Sequence, residues 1–221
     1  KEIRNNLFDI YGVFQIKKQW KKAYFITKLE HAKNIKEVND YSMGLLKLHT
    51  SSRERLEDYK KIYSNIFKIT GDPETILDLA CGLNPISILF SGFEGKYFAY
   101  DISKSDVDIL NDYFRIVRKF FPINGKAFVK DIINYAGFPK SDICFLFKFL
   151  DLIKSKREFF INLVKNIKCK YLVTSFSTKT ISLKQMRQAE RIWFMNVLKK
   201  FNFEYTEFDT GSELFLIIKL S

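Results

Sequence analysis

Apolar residues change their spacing once along this chain, near residue 70. Before that point they recur at helical intervals: Ile16, Trp20, Tyr24 and Phe25, then Leu45, Leu46 and Leu48, then Leu56, Tyr59, Ile62, Tyr63 and Ile66. The stretch holds Gly12 and Gly44 and no proline, so several short helices ending near Lys68 are expected. Ser51 or Ser52 suits the N-cap of the last of them, with Glu54, Glu57 and Asp58 where the helix dipole favours acids. After Gly71-Asp72-Pro73 the pattern becomes short apolar runs divided by helical stretches. Strands are expected at 75–79, 97–100, 127–129, 143–147, 171–175 and 214–218, and helices at 86–90, 104–120, 154–165 and 183–201. Such alternation predicts an α/β fold with a mostly parallel sheet covered on both faces. Residues 203–208 and 214–219 flank Asp209-Thr210-Gly211-Ser212, so they read as a hairpin that leaves the last strand antiparallel to the others.

Composition narrows the setting. With 221 residues, 47% of them hydrophobic, the chain can bury one sizeable core. The change in pattern divides it into a small N-terminal helical region, 1–68, and a sheet domain, 69–221. Lys and Arg number 37 against 25 Asp and Glu, a net charge of +12. Residues 1–68 hold 15 of those cations and only 8 of the acids, more than half of the excess. A basic surface gains affinity for nucleic acid by releasing counterions from the phosphate backbone, so a polyanionic partner is expected; a solvated lysine-rich surface is the other reading. Lys17, Lys18, Lys21 and Lys22 interleave with Trp20 and Tyr24, as in an RNA-docking surface or in an amphipathic helix whose aromatic face packs inward.

Cys81, Cys144 and Cys169 form no Cys-x-x-Cys pair, and only His31 and His49 accompany them, so neither a disulfide framework nor a metal centre is expected. The apolar run around 143–150 is broken by Lys148 and is too short to cross a bilayer. The charged start, Lys1 to Ile10, does not read as a secretion signal; a cytoplasmic chain with no membrane partner is expected.

Candidate chemistry concentrates in Ile76-Leu77-Asp78-Leu79-Ala80-Cys81-Gly82-Leu83-Asn84-Pro85, a strand running through a tight turn into a helix. In a doubly wound sheet, ligands bind beyond the carboxyl ends of the strands, where the first such turn lies. Small Ala80, Cys81 and Gly82 let the backbone approach a ligand, and Asp78 can hold a cationic amine. A full dinucleotide fingerprint would place glycines where Ala80 and Asn84 stand, and no Gly-Lys-Ser/Thr phosphate loop is present. The second strand ends in Tyr100-Asp101-Ile102, whose carboxylate can accept both hydroxyls of a ribose, or can cap the next helix in competition with Ser103. Asp131 follows the third strand, where Ile132 and Ile133 would give an adenine apolar cover. Lys148 emerges from the apolar fourth strand close to where substrate would sit, and a lysine there needs a partner or an outlet to solvent.

These pieces carry a resemblance. Leu45-Leu46-Lys47-Leu48-His49-Thr50-Ser51-Ser52-Arg53-Glu54-Arg55-Leu56 holds a His-x-Ser-Ser-x-x-Arg motif, and 76–85 holds Asp-x-x-Cys-Gly-x-Asn-Pro. With Tyr100-Asp101-Ile102, Phe145-Leu146-Phe147-Lys148, the Ser175-Phe176-x-x-Lys179-x-x-Ser182 stretch and Gly211-Ser212-Glu213-Leu214, the chain resembles the aminoglycoside-resistance 16S rRNA (guanine-N7) methyltransferases, with a shorter N-terminal domain. The resemblance implies a class I S-adenosylmethionine-dependent methyltransferase fold, Rossmann-like with an antiparallel C-terminal strand. It implies an S-adenosylmethionine site in which Arg55 pairs with the methionine carboxylate. Asp78 with Ala80, Cys81, Gly82 and Asn84 would hold the amino-acid end, and Asp101 the ribose, beside Ile102 and Asp131. Lys148 and Lys179 would orient guanine or phosphate, with Trp193, Phe149 or Phe176 available to a base.

Guanine N7 attacks with a ring lone pair that carries no proton, so such a site needs alignment and no general base. The leading expectation is an rRNA methyltransferase acting as a monomer on rRNA within the 30S subunit. A noncatalytic RNA-binding or assembly protein with the same fold, and a small-molecule methyltransferase, are the alternatives.

Overall fold

A computed structural model of the protein describes residues 19–178 and 192–220. Four helices come first: α1 (Gln19–Glu30), α2 (Ile35–Leu46), α3 (Thr50–Glu54) and α4 (Tyr59–Thr70). Asn34 caps α2 by accepting from the Glu37 amide, and Gly71, at φ 74°, ends α4. The serines expected to cap the last helix instead lie inside α3, and Asp58 precedes α4. The interruption has a structural reason: turns closed by Leu56 N–H to Arg53 O and Asp58 N–H to Arg55 O set Arg55 between two helices.

The sheet that follows contains β1 (Thr75–Leu79), β2 (Gly95–Asp101), β3 (Ile123–Val129), β4 (Ser141–Phe147), β5 (Cys169–Ser177), β6 (Tyr205–Asp209) and β7 (Glu213–Lys219), in the order β3-β2-β1-β4-β5-β7-β6. β7 pairs antiparallel with β5 and with β6, and the remaining neighbours are parallel. Chain order runs outward from β1 first toward β3 and then, from β4, in the other direction. This puts the topological switch point between β1 and β4. A 3₁₀ helix (Asn84–Ser91), α5 (Lys104–Val117), α6 (Lys156–Asn166) and α7 (Ile192–Lys200) complete the described elements. The 3₁₀ segment stands where an α-helix is expected, and Asn84-Pro85 opens it.

Alternate residues of each strand serve different layers, as the two-residue period requires. Ile76, Tyr97, Ile143, Phe145 and Val173 pack with α1, α2, α4, α5 and the 3₁₀ helix, while Leu77, Cys144, Leu146 and Leu172 pack with α6 and α7. The described N-terminal helices thus share one core with the sheet. Lys22 departs from the sequence expectation of an RNA contact. It is 5% exposed, and its Nζ pairs with the fully buried Asp106 of α5, so that this lysine joins α1 to the sheet layer. Trp20 is exposed and Lys21 half-buried, with Lys21 Nζ 5.3 Å from the Trp20 ring centroid. Lys17, Lys18 and Lys179 lie outside the described residues.

Candidate active site

The carboxyl ends of β1, β2 and β4 open onto a cavity of about 940 Å³, counted out to its open mouth. That is within the range of small-molecule sites, roughly 300–1,000 Å³. The turn leaving β1 builds its floor. Ala80 (φ 51°) and Gly82 (φ 50°) both adopt left-handed backbone, which exposes the turn to the cavity. A Cβ on Gly82 would stand 3.1 Å from the His49 ring, so a tight contact adds to the conformational preference for glycine here. The turn is tied to β2: Cys81 N–H donates to Tyr100 O, and Gly82 N–H donates to Asp101 Oδ2 at 2.7 Å.

Asn84 links two charged groups. Its Nδ2 donates to Asp78 Oδ2 at 2.9 Å, and its Oδ1 faces Arg55 Nη1 at 3.4 Å. Tyr97 Oη also donates to Asp78 Oδ2, at 2.6 Å. Burial pushes the Asp78 carboxyl up to about 7, against the hydrogen bonds from Asn84 and Tyr97 that favour its charged form. An arriving ammonium would restore that charge. Asp101 accepts from Gly82 through Oδ2 and from Ser103 N–H through Oδ1 at 2.9 Å, while the Ser103 hydroxyl caps α5. A carboxylate offers about four lone-pair positions, so hydroxyl donors can still be accommodated. Ile102, Asp131 and buried Ile132 line the same cavity; Asp131 accepts from Ile133 N–H and Asn134 Nδ2.

Arg55 is buried, and Glu213 at the start of β7 takes its bidentate edge: Nε donates to Oε2 at 2.8 Å and Nη2 to Oε1 at 2.9 Å. The donors on Nη1 remain on the Asn84 side. Lys148 follows β4 with φ 56°; its backbone N–H bonds Ser175, and its Nζ lies 2.6 Å from Glu54 and 3.3 Å from Glu213. Ser175 Oγ donates to Glu213 as well. Burial raises the Glu213 carboxyl, but Arg55, Lys148 and the Ser175 hydroxyl together hold it below its ordinary value. Burial also lowers the His49 imidazole to about 4, so at neutral pH it is uncharged.

The structure brings Arg55, Asp78, Ala80, Cys81, Gly82, Asn84, Asp101, Ile102, Asp131 and Lys148 to one cavity. Trp193 lies elsewhere, half-buried against α6, and Phe176 is in the core beside Phe194, out of reach of a base. The sequence pattern assigns Glu213, Tyr97 and Glu54 no place in the site; Glu54 is expected only as a helix-dipole acid. The available signal for Glu213 was a lone acid opening an otherwise apolar strand.

The donor set fits S-adenosylmethionine. Asp78 and Arg55, joined through Asn84, suit an amino-acid end bearing ammonium and carboxylate. Asp101 suits a ribose, and Ile102 and Ile132 suit a flat base. The family described as "Ribosomal RNA methyltransferase (FmrO)" matches residues 34–197. The 16S rRNA (guanine(1405)-N(7))-methyltransferase of Proteus mirabilis is 29% identical over 196 residues, covering 82% of this chain and 69% of that protein. The structure of the 16S rRNA methylase ArmA superposes with a TM-score of 0.66 at 26% identity, covering 83% of this chain and 96% of that one. The 16S rRNA methyltransferase RmtF, solved in complex with S-adenosyl-L-homocysteine, shares the fold with a TM-score of 0.77 at 21% identity, covering 98% of this chain and 81% of that one. Fold, motif order and family match agree: this chain belongs to the FmrO family of ribosomal RNA methyltransferases and has the class I S-adenosylmethionine-dependent methyltransferase fold.

Proposed function

We propose that this protein methylates guanine N7 in 16S rRNA, acting as a monomer on the 30S subunit in the cytoplasm, with S-adenosylmethionine as donor. The observation that carries the reading is the Arg55–Asn84–Asp78 chain of hydrogen bonds at one end of a cavity that also holds Asp101 and Asp131. When bound, S-adenosylmethionine supplies an electrophilic methyl group. Asp78 and Arg55 Nη1 hold its amino-acid end, Ala80, Cys81 and Gly82 pass beneath it, Asp101 takes the ribose, and Ile102 with Asp131 borders the adenine.

Guanine N7 has no proton to lose, so the chain's work is to align the base and to tolerate the positive charge that develops on it. Lys148 is compatible with that charge because Glu54 and Glu213 balance it. It can orient the guanine from the rim, with Lys179 in the same role. Lys17, Lys18 and Lys21 with Trp193 contact RNA, and the helical region 1–68 serves as a docking element for the domain at 69–221.

Incubating 30S subunits and free 16S rRNA with labelled donor, then mapping the modified base, tests this. Label at a guanine N7, lost in Asp78→Ala and Arg55→Ala, is the expected result. No calorimetric binding of cofactor at millimolar concentration would overturn it in favour of a noncatalytic RNA-binding protein.

A further inference from the structure

The loop from β4 into α6 carries Lys154, Ser155, Lys156 and Arg157, three cations in four positions. Lys154 and Arg157 are exposed, and Lys156 is half-buried with its Nζ 5.5 Å from the Trp193 ring centroid. With Glu158, Ile161 and Asn162 they line an open hollow of about 1000 Å³, counted to its mouth. Among the described residues none of the three cations has an ion-pair partner, whereas exposed Lys36 and Lys104 have one each and exposed Arg115 has two. Among its described lining residues the hollow thus offers three cations and one aromatic ring against the single carboxylate of Glu158.

Its position is fixed relative to the cavity. Leu152 lines the cofactor cavity and Lys154 is two residues further on, so their Cα atoms are at most about 7 Å apart. The loop is anchored at both ends. Asp151 accepts from Ser177 N–H at 2.9 Å at the end of β5, and Phe149 packs on Phe159 of α6 with ring centroids 5.2 Å apart. This rim lies on the α6–α7 face of the sheet, opposite α1–α4.

We propose that Lys154, Lys156 and Arg157, with Trp193, form a second RNA-backbone contact that grips phosphates flanking the base inserted in the cavity. Unpaired cations beside an aromatic face are the chemistry that recognises single-stranded or looped RNA. The inference rests on the reading that this cavity methylates an rRNA base. It adds a footprint on the other face from the basic N-terminal helices, so the substrate is held from both sides of the cavity.

The test is the triple variant Lys154→Gln, Lys156→Gln, Arg157→Gln, assayed against protein-free 16S rRNA and against 30S subunits. Affinity for both should fall about tenfold or more at low salt. The slope of log affinity against log salt should flatten by about 2, at about 0.7–0.9 per lost phosphate contact. Binding of S-adenosylhomocysteine and the melting temperature should be unchanged, which separates lost RNA contact from lost fold. Unchanged affinity and slope for both substrates would overturn the proposal. So would a loss confined to 30S subunits, which would assign the surface to a ribosomal protein. A parent protein that binds cofactor but methylates neither substrate would remove the underlying reading together with this one. A parent that methylates, with a triple variant that binds equally well, would remove this one alone. Trp20→Phe leaves Trp193 as the sole tryptophan of the chain, and its fluorescence should change in step with rRNA binding; constant emission through saturation would overturn its place in the contact.

Discussion

Arg55 and Glu213, 158 positions apart, meet in a two-bond ion pair whose side chains are 3% and 0% exposed. Withdrawing two such charges from water costs several kcal/mol each, so the pair persists only because both bonds are well formed and Ser175 and Lys148 satisfy the same carboxylate. Glu213→Gln leaves Arg55 and Lys148 short of a counter-charge. A loss of about 3–5 kcal/mol in urea unfolding is expected, together with weaker S-adenosylhomocysteine binding by calorimetry. The double replacement Arg55→Met, Glu213→Leu should recover much of the stability but none of the affinity.

Asp78 gives the stability a pH dependence. The folded carboxyl titrates near 7 and the unfolded one near 3.8, so between those values the folded chain keeps a proton that the unfolded chain has lost. Unfolding then releases a proton, and this group's contribution falls as pH rises through that window and is flat above it. Asp78→Asn has no charge to bury. Its stability relative to the parent should therefore improve as pH rises from about 4 to about 7, at up to about 1.4 kcal/mol per pH unit, and level off above that. Calorimetry at pH 6 in buffers of different ionisation enthalpy should show that cofactor binding expels a proton from the parent and not from this variant.

Gly82→Ala combines a left-handed backbone, φ 50°, with a Cβ 3.1 Å from the His49 ring. A loss of about 1–3 kcal/mol is expected from the backbone conformation alone, with a drop in cofactor affinity as the turn shifts. Adding His49→Ala should relieve the contact and recover part of the affinity, while the backbone cost stays.

Lys22→Met removes the buried cation that pairs with Asp106. Thermal unfolding should show a large destabilisation, on the order of 3–5 kcal/mol, with no change in the salt dependence of RNA binding. Lys21→Glu should do the reverse, because half-buried Lys21 lies over the exposed Trp20 ring and not in the core.

Local signals placed the sheet well. β1 has the expected bounds, Thr75–Leu79, since an apolar run between Pro73 and the Ala80–Gly82 turn has no other place to begin or end. β2 to β5 run two or more residues beyond expectation, in β2 and β3 where polar positions such as Lys96, Asn124 and Lys126 interrupt the apolar run, because main-chain pairing is indifferent to side chains; β6 instead starts two residues later than expected, at Tyr205. The β1 loop and its acids were legible from one contiguous segment. What was not legible depends on partners far apart in the chain. Lys22 reads as a surface lysine until Asp106, 84 positions on, is brought beside it, and the bidentate edge of Arg55 looks available until β7 supplies Glu213.

The place of β7 has a consequence for biogenesis. Strands β1 to β5 can pair while synthesis continues, but Arg55 lacks its bidentate carboxylate partner until residue 213 has been made and threaded antiparallel beside β5. A nascent chain carrying the whole Asp78–Asn84 turn should therefore be unable to retain the methyl donor, and the protein becomes competent only when its last hairpin closes.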